Sequence, residues 1–521
     1  MANKNKKALI VSTLKMAVAT LSSRVLGLLR EIVMARVFGA SGITDAYAIA
    51  YRLPNMLRDL FAEGAFSSAF VPVFTEVRLQ SEDEAKRLLW SMFTLLTLAT
   101  GIVSIGIFAF APELLHLMTD AKFTSDPERV AITVTLIKMM SPFLVFVSLA
   151  ALFMGVLNTL KIFFIPALAP AFFNVIMILS IIVGPGILEK YNYHPALSLG
   201  IGVLIGGFIQ MIVQVPMIFK KAYGPMGPIK LLSKSSQKIL HRISIGTIGI
   251  AATQINILIT TMLATSTMVG AVSWLNYAFR LFQFPVGILS VSIANSNLVH
   301  FSDSWKKGDK ESSVEFLHTG YFFSFLTIIP AFALLFALGS ETVHLIFERG
   351  AFTREDTQMV TKALYFYVVG LPFYGLYKIF APTFFTLDKP KVPVAISVLS
   401  IFCNIIFCVI FTPIYGFQIL ALGTSLSMII ITLMQSYFLC RYLDIGLSFF
   451  FFPRLFKLFI AGVGCYLAAH FMAQQFFSFD ASFAVKAIQF SISGVSGALT
   501  YALILGILGE FKTLLRAIKR K

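Results

Sequence analysis

Residues 392–412 read VPVAISVLSIFCNIIFCVIFT, an uncharged and mostly apolar stretch that indicates the fold class of this chain. A helix that crosses a bilayer needs about 20 mostly apolar residues, and this stretch supplies them without interruption. The whole 521-residue chain has the same character, because 13% of its residues are charged and 57% are hydrophobic, with a mean hydropathy of +0.84. Soluble proteins carry about 25% charged residues, so a polytopic membrane protein is predicted.

Similar apolar stretches follow one another along the chain and predict an all-α fold of 14 transmembrane helices. The predicted spans are 8–36, 46–76, 89–112, 130–158, 163–187, 195–219, 239–264, 270–299, 314–339, 357–386, 392–412, 417–440, 452–474 and 484–509.

The basic residues between these spans alternate. One set of connections carries 26 of the 42 Lys and Arg residues, the intervening set carries 6, and 10 lie inside spans. Residues near span starts are counted with the adjoining connections, namely Arg242, Arg454, Lys457 and Lys486. Because cytoplasmic loops are enriched in Lys and Arg, both termini are predicted to be cytoplasmic. The net charge of +17 is therefore explained mainly by topology, which disfavours a nucleic-acid partner.

The chain also repeats itself at a long offset. The tripeptide YRL at 51–53 recurs as FRL at 279–281, and PF at 142–143 recurs at 372–373. Two halves of six spans cross the membrane in the same sense and are predicted to enclose a central cavity, as alternating-access transporters do. The predicted organisation is an N-lobe at 1–222, a C-lobe at 223–443, and a terminal helix pair with a basic tail at 444–521.

Arginine is concentrated inside the first two predicted spans and recurs in the eighth. A charge at the centre of a bilayer costs about 2.5–3.5 kcal/mol even on insertion scales, so such residues are functional candidates that face a cavity. Guanidinium binds phosphate oxygens through a planar fork of donors, whereas Lys binds them as a point charge. The cluster therefore favours a phosphate or pyrophosphate ligand. The candidates are Arg24, Arg30, Arg52, Arg58 and Arg280.

Ion pairing inside the bundle is the alternative for these charges. Asp45 lies seven residues before Arg52 on one helical stripe, and Arg58 lies five residues before Glu63. Such pairs would neutralise each other in a packed protein. They do not account for the whole set, because the arginines outnumber their acidic neighbours.

Enzymatic sites are not indicated by the sequence. The seven His residues never recur at i+3 or i+4, and no HExxH, GxSxG or GxxxxGK(S/T) motif occurs. The four Cys residues lie in apolar runs without a CxxC spacing, which predicts buried free thiols. A membrane glycosyltransferase or ligase would need a large external loop, and the predicted outer loops are short.

Two motifs stand in the first two spans: residues 22–31 read SSRVLGLLRE, and residues 52–67 read RLPNMLRDLFAEGAFS. With them the chain resembles, over its whole length, the MurJ family of lipid II flippases in the multidrug/oligosaccharidyl-lipid/polysaccharide exporter superfamily. The resemblance implies two pseudo-symmetric six-helix lobes and a C-terminal helix pair around a central cavity. It also implies a bacterial inner-membrane transporter, not an enzyme, that moves lipid II from the inner to the outer leaflet by alternating access.

The resemblance assigns roles to individual residues. Substrate binding falls to Arg24, Arg30, Asp45, Arg52, Arg58 and Arg280, and gating or ion pairing to Ser23, Glu31 and Glu63. No cofactor is implied, and coupling is expected to use sodium or the membrane potential. Asp388 and Asn404 are the sodium candidates. The expected partners are lipid II (undecaprenyl-pyrophosphate-linked disaccharide-pentapeptide), membrane lipids and cell-wall polymerases.

Some positions depart from the family pattern. Glu31 stands where the family often has Asp, and Gln283 stands where the family has an acid after the second-lobe arginine. An exporter of another polyprenyl-pyrophosphate-linked glycan and a multidrug antiporter of the same superfamily are the alternatives. The arginine excess counts against a cationic drug.

Overall fold

A computed structural model describes residues 2–61, 65–227, 230–446 and 453–510, and everything in those ranges that has regular structure is helical. The first helices are α1 (Ala2–Phe38), α2 (Gly42–Phe61), α3 (Ala65–Gln80), α4 (Glu82–Ala109), α5 (Ala111–Met118), α6 (Ala121–Thr124), α7 (Pro127–Met140), α8 (Phe143–Thr159), α9 (Phe164–Lys190), α10 (Leu197–Ile212), α11 (Val215–Lys220) and α12 (Lys234–Thr267).

The remaining helices are α13 (Ala271–Pro285), α14 (Val291–Lys306), α15 (Lys310–Ala337), α16 (Gly339–Phe347), α17 (Arg354–Val368), α18 (Leu371–Thr386), α19 (Lys391–Tyr415), α20 (Gln418–Leu443), α21 (Pro453–Phe476) and α22 (Phe483–Ile507). One π-helical turn, Val286–Ser290, joins α13 to α14. The predicted all-α fold is confirmed.

Local sequence signals determine where several helices begin. Thr353 and Asp356 form a capping box at the start of α17: the Thr353 hydroxyl accepts from the Asp356 amide, and the Asp356 carboxylate accepts from the Thr353 amide. The Asp126 carboxylate caps α7 by accepting from the Glu128 and Arg129 amides, and Pro127 occupies the first helical position, where its missing N–H costs nothing.

Nine helical segments in the described ranges are long and apolar enough to cross a membrane, two of them formed by the successive helices α7–α8 and α10–α11, and the bent pair α17–α18 raises the number to ten. They coincide with ten of the predicted spans. The other four predicted spans, 8–36, 46–76, 239–264 and 270–299, fall on α1, α2–α3, α12 and α13–α14, which are not among those ten. The total of 14 therefore stays a prediction.

Several predicted spans are interrupted helices. The span at 130–158 consists of α7 and α8, which are separated at Ser141-Pro142, and the span at 357–386 consists of α17 and α18, which meet at 46°. A proline stands at each break, Pro142 and Pro372. Proline disfavours the helical conformation of the residue before it and has no amide hydrogen to donate, and each of these properties interrupts a continuous helix. Such breaks are places where a membrane helix can bend.

The chain divides into two compact units, residues 1–272 and 273–521. In the first unit α1 packs along α9, and α9 packs on α10. Glycines in α10 allow this close approach: a Cβ on Gly207 would lie 2.4 Å from the Phe143 ring of α8, and one on Gly206 would lie 2.9 Å from the Phe173 ring of α9. Helix α12 also belongs to this unit and packs against α3.

In the second unit, α19 packs on α20, α15 on α18, and α14 on α18. The first unit contains the corresponding pairs α9 with α10, α4 with α8, and α3 with α8. The same order of helices and contacts thus occurs twice along the chain. The hairpin α21–α22 packs against α15, and its ends are joined by Lys457, whose ammonium lies 3.0 Å from the Glu510 carboxylate. The lobe boundaries at 222 and 443 stay predictions.

Candidate substrate site

Helix α1 presents two of the predicted arginines in different environments. Arg24 is exposed, whereas Arg30 is only 8% exposed and the adjacent Glu31 only 9%. Burial of a charge is costly unless it is paired. The buried charge of the Arg30 guanidinium therefore has to be compensated by the groups around it.

Arg30 and Glu31 form a buried ion pair, with 2.6 Å between Arg30 Nη2 and Glu31 Oε1. The Arg30 guanidinium also lies over the Phe173 ring of α9, 5.8 Å from its centroid. Its Nε is buried and has no hydrogen-bond partner among the described residues. An arginine keeps its charge in proteins, so this N–H is a donor held ready for an acceptor.

An aromatic series supports the surroundings of Arg30. Tyr47 stacks on Tyr51 at 5.6 Å between ring centroids, Tyr51 contacts Phe143 at 5.7 Å, and Phe143 contacts Phe173 at 5.7 Å. These rings join α2, α8 and α9. The series therefore fixes the ring against which the guanidinium of Arg30 rests.

Asp45 lies in the first turn of α2 and is 3% exposed. Its Oδ2 accepts a hydrogen bond of 2.6 Å from the backbone amide of Gly270, which follows α12 and has a φ of +90°. Only glycine adopts such a φ without strain. The carboxylate of Asp45 therefore connects α2 to the turn at the end of α12.

Ser23 contributes its backbone to the contact between α1 and α9. The side-chain nitrogen of Asn174, Nδ2, donates to the backbone carbonyl of Ser23 at 3.2 Å, and a Cβ on Gly27 would lie 3.6 Å from the same nitrogen. Asn174 is buried, and its role in holding α1 was not predicted from the sequence. An isolated Asn in an apolar helix is a polar group that needs a partner, and this is the signal that could have identified it.

The remaining predicted site residues lie on α2 and α13. Arg52 and Arg58 of α2 are both half-buried, and Glu63 lies outside the described residues. Arg280 is exposed on α13 in the second unit, next to Leu281, which is buried. Of the predicted set, Arg30 and Glu31 are in direct contact, and the roles of all of them in binding stay predictions.

The two sodium candidates do not form one site. Asp388 lies in the turn before α19, whereas Asn404 lies 16 residues further along the chain, which places it about 20 Å along that helix. The Asn404 side-chain oxygen accepts from the Cys408 thiol at 3.3 Å. In the part of the chain that the structure describes, no group of three or more His, Cys, Asp or Glu side chains could hold a metal. These residues do not fit a common sodium site.

A polar cluster lies outside the spanning segments, between α16 and α17. The Glu348 carboxylate accepts from the Thr357 hydroxyl at 2.5 Å and lies 2.7 Å from His344 Nδ1, and Arg354 lies 3.4 Å away. Desolvation raises the pKa of Glu348, but these hydrogen bonds and the Arg354 guanidinium outweigh it, and the pKa lies below its ordinary value. Lys486 of α22 reaches His344 Nε2 at 2.9 Å, so the cluster connects α22 to α16.

Comparison with known proteins places this geometry in a family. The family model described as lipid II flippase MurJ matches residues 34–490. The chain is 34% identical to "Lipid II flippase MurJ" of Burkholderia cenocepacia over 78% of this chain and 79% of that protein. It is 32% identical to "Probable lipid II flippase MurJ" of Vibrio cholerae over 81% of each.

Solved structures are also similar. The fold matches "Lipid II flippase MurJ, inward closed conformation" with a TM-score of 0.79 and 27% identity, over 96% of this chain and 99% of the other. An inward-facing multidrug resistance MATE family transporter of the MOP superfamily matches with a TM-score of 0.68 over 82% of this chain and 98% of the other. At 12% identity the second match shows only that the fold is shared.

Proposed function

This chain belongs to the MurJ family of lipid II flippases, which are multi-pass membrane transporters and not enzymes, and we propose that it moves lipid II from the inner to the outer leaflet of the bacterial inner membrane. In doing so it supplies the precursor for peptidoglycan biosynthesis. The structural observation that carries the proposal is the buried guanidinium of Arg30, which keeps an unpartnered donor beside an ion pair.

The pyrophosphate of lipid II is the group that arginine recognises best. Its oxygens accept two parallel hydrogen bonds from one guanidinium, and such charge-assisted bonds contribute about 1.5–3 kcal/mol each. We assign this contact to Arg24, Arg30, Arg52 and Arg58 of the first unit, which together offset the cost of removing the pyrophosphate from water. Arg280 is the phosphate-binding residue that we propose for the second unit.

The Arg30–Glu31 pair gives the binding step a defined resting state. In the absence of substrate, Glu31 neutralises Arg30, so the buried charge is compensated. Nε donates to the arriving phosphate, and Glu31 keeps the guanidinium oriented. Asp45 has a supporting role in this scheme, because its bond to the Gly270 amide fixes the start of α2, the helix that carries Arg52 and Arg58.

Alternating access requires helices that bend, and the chain has interrupted helices in both units. In the first unit α7 and α8 are separated at Ser141-Pro142, and in the second unit a π-helical turn follows Pro285 between α13 and α14. The bent pair α17–α18 provides a third break. We propose that these breaks absorb the change between inward-open and outward-open states.

We propose that the membrane potential contributes energy to this step. Moving one negative charge outward down the gradient of an inside-negative potential of 100 mV releases about 2.3 kcal/mol, and the pyrophosphate is anionic. This direction agrees with the topology that we propose from the distribution of Lys and Arg, with both termini cytoplasmic.

Removal of arginines tests the proposal. Purified protein in proteoliposomes containing fluorescent lipid II is compared with the variants Arg24→Ala, Arg52→Ala and Arg280→Ala. We expect each to lower the flipping rate by about tenfold, because each loses a charge-assisted contact. Arg36→Ala is the matched control, since Arg36 is exposed in the last turn of α1. Full activity in all three variants would refute the arginine assignment.

A further inference from the structure

A cavity of about 810 Å³ lies in the second unit between the ends of α14 and α18. Its volume falls within the range of about 300–1,000 Å³ that is typical of small-molecule sites. The residues whose chemistry decides what it can bind are Ser302, Trp305, Lys306, Phe385, Thr386 and Asp388. None of them belongs to the arginine site proposed for lipid II.

The cavity contains one positive and one negative side chain that do not neutralise each other. Lys306 and Asp388 are both exposed, and neither has an ion pair within the described ranges. The neighbouring lysine behaves differently, because Lys307 is paired with Asp303 at 2.6 Å, one turn earlier on α14. A ligand that carries both an anion and a cation would therefore find a partner for each.

The rest of the lining is amphipathic. The hydroxyls of Ser302 and Thr386 lie 2.8 Å apart and bond to each other across the two helices, so each keeps capacity for a further hydrogen bond. Trp305 is half-buried, and Phe385 is 59% exposed. Tryptophan with its ring partly buried and a lysine at a helix end are typical of the membrane interface.

We propose that this cavity binds the phosphoethanolamine head group of a membrane aminophospholipid. The phosphate is placed at Lys306 and the two hydroxyls, and the ammonium at Asp388, with the Trp305 ring nearby to attract the cation. The acyl chains leave past Phe385 along the outer surface of α18. The ligand is a lipid of the bilayer and not the cargo, so this site is separate from the one that we propose for lipid II.

The probe is dioleoyl phosphatidylethanolamine, added to the full-length protein in detergent and counted as retained lipid by native mass spectrometry. Dioleoyl phosphatidylcholine has the same charges, but its trimethylated nitrogen cannot donate to Asp388. Dioleoyl phosphatidylglycerol has the phosphate without the cation. We expect phosphatidylethanolamine to be retained about three- to tenfold more tightly than either, as the loss of one partly exposed charged contact implies.

Variants identify the site. Lys306→Gln and Asp388→Asn should each weaken phosphatidylethanolamine retention about three- to tenfold. The matched controls Lys307→Gln and Asp303→Asn remove the same charges outside the cavity and should retain it fully. Circular dichroism and melting temperature verify that every variant is folded. Equal retention of phosphatidylglycerol, unchanged retention in both site variants, or displacement of the bound lipid by lipid II would overturn the proposal.

Discussion

The buried pair of Arg30 and Glu31 allows a structural role to be separated from a role in binding. In the variant Glu31→Gln, the Arg30 guanidinium stays buried without a compensating charge. Breaking a buried pair by removing one partner costs about 3–5 kcal/mol, and Gln keeps an acceptor oxygen, so we expect about 3 kcal/mol, the lower end of that range. The double variant Arg30→Met/Glu31→Gln should recover most of this loss, because it contains no uncompensated charge.

Flipping should not recover with stability. If Arg30 donates to the pyrophosphate, the double variant loses about 1.5–3 kcal/mol of binding, which corresponds to about ten- to a hundredfold in affinity. Unfolding is measured by denaturant titration in mixed micelles, and flipping is measured in proteoliposomes with fluorescent lipid II. Two results would contradict these roles of Arg30 and Glu31: a Glu31→Gln variant as stable as the wild type, or a stable double variant that flips lipid II at the wild-type rate.

Three further predictions concern stability. Gly207→Ala should destabilise the first unit by about 1–3 kcal/mol in thermal unfolding, because its Cβ would meet a Phe ring of α8, whereas Gly186→Ala, with nothing within 4 Å, should be neutral. Asp45→Ala should lower the free energy of unfolding by about 1–3 kcal/mol, because the Gly270 amide loses its acceptor. Asp45→Asn keeps an acceptor oxygen and should retain most of that stability, so equal losses in the two variants would contradict the hydrogen bond. The Glu348 carboxylate, with its pKa below the ordinary 4.5, stabilises the fold above that pH, and this contribution is lost as the pH falls through the folded-state pKa; Glu348→Gln should therefore show a weaker loss of stability on acidification, and an unchanged profile would contradict the cluster.

Hydropathy predicted ten of the segments that are long and apolar enough to cross a membrane in the described ranges, but it did not predict where they bend. The predicted span at 357–386 covers both α17 and α18, and the 46° bend between them was not predicted. At this break the amide of Gly370 bonds to the Ser425 hydroxyl of α20 at 3.1 Å. Gly370 and Ser425 are 55 positions apart in the sequence, and the hydropathy of the two segments gives no indication that they are in contact.

The predicted site residues show the same division. Arginines inside spans could be identified from the sequence, because charge in an apolar run is conspicuous. The groups with which these site residues pair could not be identified in the same way. Residues 30 and 31 are neighbours, and adjacent helix positions do not face each other, so helical spacing does not predict that they pair. The bond from Gly270 to Asp45 joins residues 225 positions apart and depends on tertiary packing.

Measuring the transbilayer movement of lipid II with the purified chain tests most directly the proposal that this protein is a lipid II flippase. Vesicles reconstituted with the protein are loaded with fluorescent lipid II, and the fraction that reaches the opposite leaflet is followed in time. We expect movement that depends on the protein, persists in Arg36→Ala, and is about tenfold slower when Arg24, Arg52 or Arg280 is replaced by Ala. Movement no faster than in protein-free vesicles would contradict it.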